Sequence, residues 1–184
     1  MPGKFRRQGI KVPPTQSEVD AHKLVRELLE LGARRVGAEF TKPDDDWRPQ
    51  WLLLTKTQGT ILTPGPDVEK YEMTDHVAAL ARRWGAIAVG HLHSSWLVTG
   101  AATQQAIDQH GSTEGIAERI EVLLVATYTA GNARHYTARI HRHPPAPPTL
   151  GRLLLMFDTA TADDDVNLTG AMVDPLIASL ERVG

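Results

Sequence analysis

An α+β fold, with a mostly antiparallel sheet of about five to six strands and helices packed on one face, follows from three features of this 184-residue sequence. Two stretches repeat apolar residues at three- and four-residue intervals, as amphipathic helices do: Ala21, Leu24, Val25, Leu28 and Leu31, then Val77, Leu80, Ala81 and Trp84. The strand-like segments come in adjacent runs interrupted by helices, an order that favours antiparallel pairing over βαβ units. Finally, Gly131-Asn132 separates Ile120–Thr129 from Ala133–His143 and marks a hairpin.

The first sixteen residues carry Lys4, Arg6, Arg7 and Lys11, with no acid before Glu18. Residues 1–16 therefore read as a basic flexible arm, and 17–184 as a single domain. Those four cations are the candidate contacts to nucleic acid or to an acidic partner. Ser17 caps a helix, with Asp20 three residues on able to reach back, and Gly32 ends it. Val36, Ala38 and Phe40 then alternate as in a strand, broken by Lys42-Pro43-Asp44-Asp45-Asp46. Three adjacent aspartates invite a divalent cation, but a proline-flanked loop uses them more often as turn residues.

Trp51–Gln58 predicts a strand, Gly59 a turn, and Thr60–Thr63 its continuation before Pro64-Gly65-Pro66. Thr74 caps the second helix and Gly85 ends it, leading into a central strand over Ala86–Val98. Gly100–Gly115 predicts a long polar loop. Ile120–Thr129 is apolar on both faces, as a central strand should be, and on the return strand His135, Thr137, Arg139, His141 and His143 share one face. Pro144–Pro148 reads as a stiff polyproline spacer, and Leu153–Phe157 as a last strand. Asp174-Pro175 opens a terminal helix that buries Leu176, Ile177 and Leu180.

His91 and His93 stand two apart in the central strand and so point the same way. Two imidazoles on one face can share a metal. A zinc hydrolase would need a third ligand, for which one of His135, His141 or His143 is available, and Glu121 or Asp108 as base. The JAMM metalloprotease offsets from such a pair require serine and aspartate, where this chain has Ala101 and Gln104. A cupin-type site requires a glutamate where Ser94, Ser95, Trp96 and Leu97 stand. The loop from Asp163 through Asp165, Asn167 and Asp174 has calcium-like spacing but Leu168 at the obligatory glycine. Glycine-rich phosphate loops and the Gly-x-Ser-x-Gly elbow are absent. So is cysteine, which removes thiolate metal sites and cysteine nucleophiles.

A net charge of -2 and 5% aromatic residues argue against a surface built to coat nucleic acid. No apolar run is long enough for a membrane span, so the expected location is cytoplasmic, with no membrane partner.

From Thr74 to His143 the chain resembles a group of uncharacterised small bacterial and phage-associated α+β proteins. The features that carry this are the helix ending in Gly85-Ala86, the strand ending Ser94-Ser95-Trp96-Leu97-Val98, Glu121-Val122-Leu123-Leu124-Val125, and Ile140-His141-Arg142. An acidic residue precedes the tryptophan by two in that pattern, where this chain has Ser94. The resemblance implies a fold and no established activity.

Without a catalytic constellation, the leading expectation is a non-enzymatic binding or assembly module with no cofactor, acting on a protein partner or on further copies of itself. The alternatives are a metal-dependent hydrolase holding one divalent metal such as zinc on His91, His93 and His141, and a nucleic-acid-associated protein using its basic arm.

Overall fold

The structure is a computed structural model that describes residues 5–65, 68, 70–97, 109, 119–159 and 176–183. Its strands are β1 (Phe5–Lys11), β2 (Gln50–Leu54), β3 (Gln58–Pro64), β4 (Ala88–Leu97), β5 (Ile120–Thr129), β6 (Ala133–His141), β7 (Thr149–Leu150) and β8 (Leu154–Asp158). The helices are α1 (Glu18–Ala38) and α2 (Lys70–Trp84). All eight strands form one sheet in the order β1-β3-β2-β4-β5-β6-β7, with β8 also paired to β6, and each pairing is antiparallel. The class is α+β as expected, with more strands than the five to six foreseen.

The two helices cover opposite faces, not one. Successive side chains of a strand point to opposite sides, so a strand apolar at every position needs cover on both. In β2, Leu52 and Leu54 pack with Ala21, Val25, Leu29 and Ala33 of α1, together with Leu92, Leu123 and Val125. Trp51 and Leu53 pack with Met73, Val77, Ala78 and Ala81 of α2, together with Val89, Ala126 and Tyr128. Gly90 lets α1 approach the sheet: a methyl there would overlap Val25 Cγ1 and lie 2.6 Å from Leu29 Cδ1.

Helix α1 begins where expected. Ser17 has extended backbone and its hydroxyl accepts the Asp20 N–H at 3.1 Å. It does not end at Gly32, and the strand expected over 34–40 is its last turns and exit. The buried stripe continues from Leu29 to Ala33, and Arg34 pairs with Glu30 one turn back. Trp47 donates its indole N–H to the Ala33 carbonyl at 2.8 Å. One interior glycine costs about 1 kcal/mol, which such packing exceeds. Helix α2 likewise starts at Lys70, a turn ahead of Thr74, and ends at Gly85 with φ of 61°.

Phe5–Lys11, expected in a flexible arm, is an edge strand paired over its length with β3. The β2–β3 turn falls at Thr55–Gln58, closed by the Thr55 N–H on the Gln58 carbonyl, and Gly59 lies within β3. The proline-rich stretch turns where Ala146 N–H reaches the His143 carbonyl, which brings β7 back onto β6. The 100–115 loop (Gln109 apart), the Asp163–Asp174 loop, Asp108, Lys4 and the Asp174-Pro175 cap lie outside the described residues. No described helix is long and apolar enough to cross a membrane.

Candidate functional site

The β2–β4 register sets Trp51 opposite His91, and the strand period puts His93 beside it on the α2 face. The three rings stack in a column: Trp51 on His91 at 3.9 Å between centroids and 14° between planes, His91 on His93 at 4.6 Å and 27°. His91 is only 6% exposed, between two rings that cover both its faces. This column forms one wall of a pocket of about 220 Å3, whose other walls are Pro49, Pro64, Val68, Met73 and Ser94. The lining is mostly apolar.

A polar lattice braces the pocket's edge. Ser94 donates to Asp46 Oδ2 at 2.9 Å, and the Arg142 guanidinium lies 3.4 Å from Asp46 Oδ1. Arg142 also grips Glu121 with two bonds of 2.7 Å and donates to the Pro43 and Asp45 carbonyls at 3.0 and 2.9 Å. The Glu121 hydrogen bond and charge hold the Arg142 pKa above its ordinary value. Asp45 accepts the N–H groups of Lys42 and Thr41 at 2.8 and 2.7 Å, which lowers its pKa. Asp45 and Asp46 thus bind the chain's own donors in the loop that leads to β2.

On the α1 face lies a second polar cluster. His22 is buried, with Nδ1 2.7 Å from Thr127 Oγ1 and Nε2 3.2 Å from Thr129 Oγ1. Thr129 donates to Glu18 at 3.3 Å, so the consistent neutral tautomer has Nε2–H donating to Thr129 and Nδ1 accepting from Thr127. Burial, and then the Arg134 charge, lower the His22 pKa to about 4, against a smaller opposing pull from Asp158. Burial also lowers His135 and raises Tyr128 to about 12; these two rings meet edge-on at 6.1 Å.

Of the candidate metal ligands, His91 and His93 come together and His141 does not join them. Strand β5 separates β4 from β6, so that His93 aligns with Leu124 and Thr137. His141 is four residues further along β6, which is about 13 Å along the strand and about 10 Å across two strand spacings. It stacks with His143 instead, at 6.3 Å. Imidazole lone pairs lie in the ring plane, so the near-parallel rings of His91 and His93 aim theirs alongside each other and not at one point. Among the described residues no three His, Cys, Asp or Glu side chains are placed to hold a metal ion.

The candidate basic contacts are divided too. Arg6 opposes Thr63 and takes the α1 face, while Arg7 opposes Leu62 and takes the α2 face, where its guanidinium lies 5.7 Å from the Trp84 ring centroid. Lys11 opposes Gln58 at the far end of the strand.

No family model matches the chain, and neither does any curated protein or solved structure. The site's chemistry alone therefore bears on function. Sequence reasoning missed the stacking of Trp51 on His91 and the burial of His22. The signal for Trp51 was its place at the head of the apolar run Trp51-Leu52-Leu53-Leu54; for His22, its position one turn from Val25 on the buried stripe.

Proposed function

We propose that this protein is a non-enzymatic binding module and that the Trp51–His91–His93 pocket receives one apolar or aromatic side chain of a protein partner. The observation that carries this reading is the aromatic column itself: it supplies a flat apolar wall, and His91 within it has both ring faces covered. A volume of about 220 Å3 lies below the range of about 300–1,000 Å3 common for small-molecule sites, and suits a single anchoring side chain. Interfaces draw most of their affinity from such anchors in desolvated pockets.

Self-association is a second reading with its own observation. Edge strand β8 presents Leu154, Leu155 and Met156, each at least half exposed, and no described residue pairs with its outer edge. The opposite edge, β1, carries Arg6, Arg7 and Lys11, the kind of charge that discourages strand addition. Chain copies joined at β8 would be a cytoplasmic assembly of this protein with itself.

Peptide selection against the folded protein tests the leading reading. Selected peptides should share one essential apolar or aromatic residue, move the His91, His93 and Trp51 NMR signals, and lose at least tenfold in affinity to Val68→Phe, which fills the pocket. Peptides that bind Val68→Phe unchanged would refute it, as would stoichiometric zinc, manganese or iron that disappears in His91→Ala.

A further inference from the structure

A larger cavity, of about 580 Å3, opens on the α1 face at the same end of the sheet, lined in part by Arg6, Arg48, Gln50, Thr63, Phe40 and Val36. The register explains why these residues meet. Arg6 opposes Thr63 on β1 and β3, and Trp51 opposes Leu62, which puts Gln50 next to Thr63. Arg6, Thr63 and Gln50 therefore sit side by side across three strands. Arg48 follows two positions before Gln50, about 7 Å along the chain direction and about 10 Å across from Arg6. Two arginine side chains reach over that distance to a common point.

The charges in this cavity are unequally committed. Its two carboxylates already have partners: Asp45 binds backbone N–H groups, and Asp46 binds Ser94 and Arg142. Arg6 and Arg48 make no ion pair among the described residues. What remains for a ligand is two guanidinium groups, the Gln50 amide and the Thr63 hydroxyl, beside the apolar surface of Phe40, Val36 and Pro64. Guanidinium groups bind phosphate through paired N–H donors, and a phosphomonoester near pH 7 carries a charge of about -1.5 to -2, which two arginines neutralise.

From this juxtaposition we infer that the cavity is a binding site for a small organic phosphate monoester, its phosphate held between Arg6 and Arg48 and its flat apolar portion lying on Phe40 and Pro64. The cavity falls within the size range of small-molecule sites, with room for a ligand of mononucleotide size. It lies on the opposite face from the Trp51 pocket, so the two proposals stand or fall separately.

Isothermal titration of the full chain with phenyl phosphate, adenosine monophosphate, inorganic phosphate and benzoate is the test. Phenyl phosphate or the mononucleotide should bind with a Kd below about 1 mM, more tightly than inorganic phosphate, which lacks the apolar part, and than benzoate, which lacks the second charge. Arg6→Ala and Arg48→Ala, both at exposed positions, should each weaken this at least tenfold with unchanged circular dichroism, while Val68→Phe on the other face leaves it intact. The inference is overturned if neither ester binds at millimolar concentration, if both arginine variants bind like the wild type, or if benzoate binds as tightly as phenyl phosphate.

Discussion

Replacing His22 with glutamine should flatten the acid side of the stability profile. The imidazole is 1% exposed and bonded to two threonine hydroxyls, and its pKa in the folded state is lowered to about 4 from the ordinary 6.5. Above pH 6.5 the ring is neutral in both folded and unfolded chains and contributes no pH dependence. Between 6.5 and 4 the unfolded chain takes up a proton that the folded chain refuses, so stability falls as the pH falls. The full loss across that window is about 3 kcal/mol, and between pH 7.5 and 5.0 it is about 2 kcal/mol.

Urea unfolding at those two pH values reads this directly: with a slope of about 2 kcal/mol/M, the wild-type midpoint should drop by about 1 M from His22 alone. His135 and His76, whose pKa values are also lowered chiefly by burial, add to the fall in the same direction, but they remain in the variant. The difference between the two profiles therefore isolates His22. Glutamine can still hydrogen-bond Thr127 and Thr129 and never titrates in this range. Should the variant fold poorly, NMR titration of the wild type gives the answer independently, since the His22 ring signal should stay in its neutral position down to about pH 5. Identical pH slopes for wild type and variant, or a His22 signal that titrates near 6.5, would refute the reasoning.

Gly90→Ala should destabilise by about 1–3 kcal/mol in urea unfolding, because its methyl would run into Val25 and Leu29, and Leu29→Ala should recover part of the loss. Arg142→Ala releases the Pro43–Asp46 loop and leaves the Glu121 carboxylate, 14% exposed, without its bidentate partner. A cost of about 1–3 kcal/mol follows, seen as a fall in Tm of several degrees, and Arg142→Lys should restore less than half of it. Leu155→Lys changes an exposed edge position, so stability should move by less than about 0.5 kcal/mol. Sedimentation velocity should meanwhile find the wild type self-associating with rising concentration and this variant monomeric. A wild type that stays monomeric at high concentration would remove β8 as a contact between copies.

The hairpin β5–β6 was legible to the residue at its inner ends, because Gly131-Asn132 interrupts two long strand-like runs and the Thr129 N–H closes on the Asn132 carbonyl as such a turn demands. The face pattern of β5 also held the information that corrects the helix placement. A strand apolar on both sides cannot leave one side to solvent, so two covering layers were already implied by Leu123 and Val125 against Val122 and Ala126. What local reading could not weigh was tertiary packing. Gly32 carries a real stop signal, yet Trp47, fourteen residues beyond Ala33, supplies the indole bond and ring contact that extend α1 through it. Likewise a basic N-terminal segment reads as free chain until β3 presents an open edge for it. The site was half legible for a similar reason. Strand period sufficed to pair His91 with His93, whereas Trp51 joins them only through the β2–β4 register, which no local pattern encodes.

That register also explains why both candidate sites fall at one end of the sheet. Residues 48–51 enter β2 where β3 exits at Pro64, and the strand period sends alternate side chains of this short stretch to opposite faces. Trp51 goes to the α2 face and its aromatic column, while Gln50 and Arg48 go to the α1 face and its basic cavity; Pro64 lines both. The entry to β2 is in turn held by Arg142, through the carbonyls of Pro43 and Asp45 and the carboxylate of Asp46. A ligand that draws Arg48 toward a phosphate on one face therefore pulls on the backbone that carries Trp51 on the other. Phenyl phosphate should accordingly perturb the Trp51 indole NMR signal in the wild type and leave it unmoved in Arg48→Ala. A Trp51 signal indifferent to saturating phenyl phosphate would mean that the two pockets share a strand end without sharing any mechanical connection.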